Sequence, residues 1–251
     1  MATIKDIDNF LSDIAPGELS EPWDNDGVML CGNLNKSIEK AVVCLETNIE
    51  AVKYARDIGA QLIVTHHPFI FKAMKSVTAE KYSEIELLIQ NGISVLSYHT
   101  RYDKACGGVN DTLAQALGLK NIIDNGTFIR TGELEREMSG NEFAAYLRER
   151  LKCGTMKAYF EKDARIKRVS VCGGAGKDFL AEASEIADAY VSADFSHETF
   201  RDSKKLGIAV FDAGHYHTEN PAAKKLKELL QQQFEEVDFE FYDVSSPFFT
   251  V

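Results

Sequence analysis

The stretch LIVTHHPF, residues 62–69, joins an apolar run directly to two histidines and a proline. A continuous apolar run is typical of a strand that helices cover on both faces, and Pro68 ends it because proline cannot donate to a strand ladder. Ligands of open α/β sheets collect outside the carboxyl ends of the strands. The stretch therefore predicts that His66 and His67 lie at a ligand-facing strand end. Alone, the pair is equally compatible with two hydrogen-bonded polar residues that close a strand.

Other apolar runs follow the same rhythm along the chain. They are AVVCLE (41–46), ISVLSY (93–98), RVSVCGG (168–174) and GIAVFD (207–212). Helical patterns lie around them at about 48–58, 83–90, 108–117, 139–151, 177–187 and 221–233, the last with Pro221 in its first turn. The alternation predicts an α/β fold with largely parallel, helix-covered sheets. The alternating run VDFEFYDV (237–244) predicts a further strand at a sheet edge.

The segment 121–136 interrupts this rhythm with NGT, TGE and dense charge, which is typical of a boundary. We therefore expect two α/β lobes. Lobe I comprises 1–124 plus about 216–251, lobe II comprises about 125–215, and the metal site described below lies at their junction.

Composition narrows the classes of function. The chain has 251 residues and a net charge of -11, which disfavours nucleic acid as a partner because phosphates would be repelled. It has no apolar run long enough for a signal peptide or a membrane span, so we expect a cytoplasmic protein that does not bind membranes. Five cysteines without a CxxC spacing predict reduced, mostly buried thiols.

Two more strand ends carry ligand-type residues. His99 and Asp103 follow the run ISVLSY, and His215 and Glu219 follow GIAVFD four positions apart, which is about one helical turn. Each has a structural alternative, since Asp103 and Glu219 could cap helices and His99 could be a core histidine or support a ligand. His217 cannot share the helical face of His215, so we place it outside the ligand set.

Three strand ends that each carry histidine or carboxylate favour a metal site over these alternatives. Three imidazoles and two carboxylates give each of two divalent ions about three protein ligands, with positions left for water. Zn, Fe, Mn, Co and Ni all accept such a mixed nitrogen and oxygen set. The predicted ligands are His66, His67, Asp103, His215 and Glu219, and Glu219, which can bridge both ions, is the predicted catalytic residue.

Weaker signals lie elsewhere. The CGGAG segment, 172–176, fits either a backbone nest for an anion or, more simply, a tight turn. We expect Trp23, Asp24 and Asn25 to line a pocket, and His197 to hydrogen-bond a substrate or a ligand.

Several motifs together resemble one family. They are PWDNDGVMLCG (22–32), VTHHPFIF (64–71), HTxxD (99–103), CGGAG (172–176) and DAGHYHTE (212–219). With them the chain resembles the NIF-three-like dinuclear metal proteins, also called GTP cyclohydrolase type-two homologues. The resemblance implies the same five ligands, two α/β lobes and a toroidal homohexamer. Arg101 and Tyr102 depart from the usual residues inside HTxxD, and the chain has no room for the middle domain inserted in some relatives.

The functional hypothesis is a metal-dependent hydrolase acting on a small molecule or nucleotide. The resemblance implies that the activated water opens the imidazole ring of GTP. The alternative is a non-catalytic metal protein, either a metal carrier or a hexameric scaffold, which the same ligands would serve.

Overall fold

The computed structural model describes residues 1–78, 82–246 and 248. The chain forms two compact units. The first contains Met1–Cys106 and Ala223–Ser245, and the second contains Gly107–Ala222 and the chain from Ser246 on. The boundaries between the units, after Cys106, Ala222 and Ser245, differ from the predicted lobe limits near 124 and 215.

The first unit is built on a sheet with the strand order β1-β4-β3-β2-β11. Its strands are β1 (Gly27–Leu30), β2 (Lys40–Cys44), β3 (Leu62–Thr65), β4 (Ser94–Ser97) and β11 (Asp238–Phe241). Its helices are α1 (Ile4–Ile14), a 3-10 turn at Gly17–Leu19, α2 (Ile49–Asp57), α3 (Ser83–Asn91), α4 (Thr100–Lys104) and the part of α9 (His215–Gln233) from Ala223 on.

Four strands of this sheet, β11, β2, β3 and β4, run parallel, and β1 pairs antiparallel with β4. Every residue of β3 and β4 is buried. Burial on both faces explains why their sequences are continuously apolar rather than alternating. The register pairs Thr65 with Ser97, so β3 and β4 end side by side at one edge of the sheet.

The second unit is built on a sheet with the order β5-β6-β8-β9-β10-β7. Its strands are β5 (Lys120–Asp124), β6 (Arg130–Ser139), β7 (Lys157–Tyr159), β8 (Arg165–Val171), β9 (Ala189–Ser192) and β10 (Ala209–Asp212). Its helical segments are α5 (Val109–Ala116), α6 (Gly140–Leu151), a 3-10 turn at Lys177–Phe179, α7 (Leu180–Ile186), α8 (His197–Leu206) and the start of α9 (His215–Gln233).

The three strands β8, β9 and β10 of this sheet run parallel, whereas β5, β6 and β7 join it antiparallel. Strand β5 pairs with β6, and Leu113 and Leu117 pack in one core with Val169 and Phe211. This packing places the segment 107–124 in the second unit. Two helix-covered sheets confirm the predicted α/β class.

Helix α9 begins at His215. The prediction that it starts at Pro221 is wrong, because Pro221 lies inside the helix. A proline there removes one main-chain hydrogen bond, yet the helix continues to Gln233. The earlier start places His215 and Glu219 on successive turns of one helical face.

Within the part of the chain that the structure describes, no helix combines the length and apolar character that crossing a membrane requires.

Candidate metal centre

In the first unit, residues of the candidate site lie directly after three neighbouring parallel strands. Glu46 follows β2, His66 and His67 follow β3, and His99 follows β4. The hydroxyl of Thr65 donates to the carbonyl of His67 at 2.9 Å and lies 2.8 Å from the Ser97 hydroxyl, which fixes the turn where the histidines leave the sheet. The histidine pair therefore lies at the end of β3, and these hydrogen bonds fix the backbone there.

His66 is buried, and its ring orientation is set by a main-chain contact. Its Nδ1 donates to the carbonyl oxygen of Tyr98 at 2.9 Å, and since a carbonyl only accepts, Nδ1 carries the proton. On the other side of the ring, Nε2 lies 3.5 Å from Oδ1 of Asp103. Asp103 is itself nearly buried on α4. The ring thus turns its lone-pair nitrogen towards a carboxylate.

His67 lies beside His66, with ring centroids 5.2 Å apart. The backbone N–H of His67 donates to the carbonyl of Leu45 at 2.9 Å, and the ring Nδ1 lies 3.5 Å from Oε2 of Glu46. Glu46 did not figure in the predicted site, although it stands directly after an apolar strand.

His99, which was not among the ligands predicted from the sequence, completes this group. Its ring centroid lies 5.2 Å from that of His66. His66, His99 and Asp103 each offer one ligand atom, and these atoms lie within 4.8 Å of one another. The structure therefore makes His99 an additional candidate ligand.

The orientation of His99 depends on Asp24, whose side chain is fully buried. Burial raises the pKa of this carboxyl, but hydrogen bonds from His99 and Thr100 outweigh burial and hold the pKa well below its usual range. Nδ1 of His99 donates to Oδ1 of Asp24 at 2.9 Å, and the backbone N–H of Thr100 donates to Oδ2 at 3.0 Å. A charged, buried carboxylate thus fixes the ring.

In the second unit, His215 and Glu219 form a pair at the start of α9. Oε2 of Glu219 lies 3.0 Å from Nε2 of His215, and Glu219 is only 4% exposed. Nδ1 of His215 lies 2.7 Å from Oδ2 of Asp194. The carboxylate of Asp194 accepts this proton, so the ring turns Nε2 towards Glu219.

Two aspartates that sequence reasoning did not assign support this pair. Asp194 follows β9 in a left-handed conformation, with φ at +56°. Asp212, at the end of β10, accepts from the N–H of Phe195 at 3.1 Å and from the N–H of Gly214 at 3.2 Å. Asp212 thereby ties the loop of Asp194 to the turn before His215. A signal was present, since both aspartates stand at the ends of apolar runs.

The CGGAG segment packs against Glu219. The N–H of Gly173 donates to Oδ1 of Asn110 at 2.6 Å, and that of Gly174 donates to the Thr218 hydroxyl at 3.0 Å. Gly174 is in the left-handed region, with φ at +61°. Because these two N–H groups are engaged within the unit, the segment is a tight turn and they do not form an anion nest.

The remaining histidines have other surroundings. Burial lowers the pKa of His217, and its ring packs edge-on against Tyr216 at 5.2 Å. His197 is exposed at the first position of α8.

Each unit holds a histidine–carboxylate pair at a spacing close to that of two ligands of one divalent transition metal. Two ligand atoms that each lie about 2.1 Å from one ion are about 3.0 to 3.4 Å apart at octahedral and tetrahedral angles. The separations between imidazole nitrogen and carboxylate oxygen are 3.5 Å for His66 with Asp103 and 3.0 Å for His215 with Glu219. Support of the distal ring nitrogen by a carbonyl or carboxylate is the usual arrangement behind metal-bound histidine. The donor chemistry of His66, His99 and Asp103 in the first unit therefore suits such an ion, and the second unit contributes one histidine–carboxylate pair.

The chain is similar to several known proteins over almost its whole length. A family model described as Duf34/NIF3 (NGG1p interacting factor 3) matches residues 2–247. A "GTP cyclohydrolase 1 type 2 homolog" of Clostridium perfringens is 32% identical over 249 residues, with 95% of this chain and 94% of that protein covered. A hypothetical protein of Staphylococcus aureus has a TM-score of 0.92 at 27% identity, with 99% of each chain covered. A Bacillus cereus protein related to NIF3 shares the fold, with a TM-score of 0.93 at 21% identity, covering 100% of this chain and 99% of its own. The chain belongs to the Duf34/NIF3 family.

Proposed function

We propose that the chain binds two divalent metal ions through His66, His67, Asp103, His215 and Glu219 and uses them to hydrolyse a small molecule or nucleotide. GTP is the first substrate to test, because relatives such as the Clostridium perfringens protein are named GTP cyclohydrolase 1 type 2 homologs. The ligand set itself rests on the spacing of the sequence motifs and on the family.

One observation carries the proposal. In each unit a histidine has its Nδ1 engaged by a carbonyl or carboxylate oxygen, and its Nε2 is turned towards another residue's carboxylate. An unprotonated Nε2 and a carboxylate oxygen both present lone pairs, so a cation between them would relieve their repulsion in both units.

When bound by these residues, divalent ions would lower the pKa of a bound water and polarise the bond that the water attacks. The residues of the chain supply the orientation. The Tyr98 carbonyl and the Asp194 carboxylate each fix one imidazole ring, and α9 presents the two oxygens of Glu219 four residues after His215. Glu219 is the proposed catalytic residue because a carboxylate with two donor oxygens can serve two ions.

The reaction adds one water to the imidazole carbon of guanine, which opens the ring to a formamide, and a second water releases formate. Metal-loaded protein incubated with GTP is expected to release formate, measured by a formate dehydrogenase assay. Glu219→Ala should abolish the release, whereas Glu198→Ala, which changes an exposed glutamate on α8, should leave it unchanged. Equal formate from the Glu219→Ala variant would falsify the mechanism.

Metal retention separates this enzyme from the alternative metal carrier. After dialysis against a mild chelator, an enzyme should keep its ions and its turnover, with metal measured by elemental analysis. Rapid loss of the ions, transfer to an acceptor and no formate would favour the carrier.

A further inference from the structure

Two exposed aromatic side chains lie beside the candidate ligands of the first unit. Trp23 is 61% exposed and Phe71 is 46% exposed, and each packs near His99. Ring centroids are 6.2 Å apart for Trp23 and Phe71, 6.5 Å for Trp23 and His99, and 6.2 Å for Phe71 and His99. We call Trp23, Phe71 and His99 the aromatic cluster. Large apolar side chains left exposed together commonly mark a binding site.

Polar contacts of the residues on both sides of Trp23 fix the loop that carries its exposed ring. The neighbouring Asp24 is bound to His99 and Thr100, and the N–H of Glu21 donates to the Thr100 hydroxyl at 3.0 Å. The side-chain amide of Asn25 donates to the carbonyl of Ile70, next to Phe71. These contacts tie the Trp23 loop to the Phe71 segment, so the two rings form one surface.

The geometry of this surface suits a flat ring. The interplanar angle of Trp23 and Phe71 is 75°, so the two side chains form two walls at nearly a right angle. Aromatic rings prefer offset stacking on a face or an edge-to-face contact. A planar ligand stacked on one wall would meet the other edge-to-face and gain both contacts at once.

The aromatic cluster also adjoins the candidate metal ligands. His99 belongs to the cluster and, with His66 and Asp103, to the group of candidate ligands. A ring lying on Trp23 and Phe71 would therefore place its edge beside these side chains.

We propose that the aromatic cluster binds the planar heteroaromatic ring of the substrate, a nucleobase or a similar fused ring, through the exposed faces of Trp23 and Phe71. This inference rests on the proposed function, which it deepens by assigning the residues that select the substrate class. Stacking of bases on aromatic side chains tolerates different ring identities, so the cluster recognises the ring class rather than guanine alone.

Trp23 is the single tryptophan of the chain, so its fluorescence reports directly on this site. The probes are guanosine, which has the ring without phosphate, and ribose 5-phosphate, which has phosphate without the ring. Metal-free protein should show saturable quenching with guanosine and none with ribose 5-phosphate. Absence of quenching by guanosine at millimolar concentration would overturn the proposal.

Phe71→Ala removes one wall and should raise the Kd for guanosine by about five-fold to a hundred-fold, the range for loss of one stacking side chain. The matched control is Leu206→Ala on α8, because Leu206 is similarly exposed at 45% and lies in the other unit. Its Kd should equal that of the unchanged protein. An unchanged Kd in Phe71→Ala overturns the ring site. A Phe71→Ala variant that keeps its Kd but sediments at a lower mass would also overturn it, because the cluster would then be an interface between copies of the chain.

Failure of this inference and failure of the hydrolase are distinguishable, because the quenching needs neither metal nor turnover. Quenching by guanosine without formate release rejects the proposed reaction and keeps the ring site. Formate release with the same KM for GTP in Phe71→Ala and in the unchanged protein keeps the hydrolase and rejects the ring site.

Discussion

At the scale of single residues, Gly174 determines how closely the CGGAG turn approaches Glu219. A Cβ atom at Gly174 would lie 2.1 Å from Oε1 of Glu219 and 3.1 Å from Nε2 of His215. The first distance is shorter than real Cβ contacts and the second is unusually tight, so any side chain at this position must displace the Glu219 carboxylate.

Gly174→Ala should therefore weaken metal binding while the protein stays folded. Elemental analysis after equilibration with a limiting Zn²⁺ concentration is expected to show lower metal content, and circular dichroism checks the fold. Gly126→Ala is the matched control, because Gly126 also has a positive φ, +74°, but nothing lies within 4 Å of its Cβ position. Equal metal content in the two variants would show that the turn does not position Glu219.

The five ligands were predicted because each follows a strongly apolar strand or lies one helical turn further on, but His99, which the structure adds as a candidate ligand, was left out. The residues that orient them could not be predicted. Asp194 contacts His215 from a position 21 residues away, and Asp24 contacts His99 from 75 residues away. No local pattern specifies such contacts, which arise only when the sheets assemble.

At the scale of elements, helix α6 begins with a complete capping box. The hydroxyl of Ser139 accepts from the N–H of Glu142, and the Glu142 carboxylate accepts from the N–H of Ser139 at 2.9 Å. The backbone hydrogen bond from Ser139, with further bonds from the Ser139 hydroxyl and Arg136, lowers the pKa of Glu142 from 4.5 to about 2.

Because the pKa of Glu142 is lower in the folded state than in the unfolded state, its contribution is present above the unfolded pKa of 4.5 and is lost as the pH falls towards about 2. Glu142→Gln should lower the Tm at pH 7, and the difference from the unchanged protein should shrink below pH 4.5. Thermal unfolding at several pH values measures it. Glu149→Gln, an exposed change on the same helix, should show no such pH-dependent difference. A Tm difference for Glu142→Gln that stays constant with pH would contradict the role of the charge.

The central strands β2, β3, β4 and β10 were predictable, because burial on both faces leaves a continuous apolar run. Strands β1 and β7 were not. Both are short, and each depends on a partner distant in sequence, β4 for β1 and β10 for β7. Likewise the start of α9 at His215 was missed because the polar residues before Pro221 look like a loop.

At the scale of the whole molecule, we propose the toroidal homohexamer that the family resemblance implies. Sedimentation equilibrium of the purified protein should give six times the 28.0 kDa mass of one chain. The mass should be independent of protein concentration in the micromolar range, because a closed ring has no free interface left to extend it. A stable monomer or dimer would contradict the assembly without affecting the ligand set.

The hydrogen bonds that orient the rings of His66, His99 and His215 would also affect the thermodynamics of the proposed metal uptake. Ring rotation is already restricted by Tyr98, Asp24 and Asp194 before any ion arrives. The conformational entropy of these side chains is therefore lost during folding rather than at binding, and preorganised ligands give higher affinity for that reason. A rigid set of donors also selects among ions by size and preferred geometry, because the protein does not rearrange to suit each one.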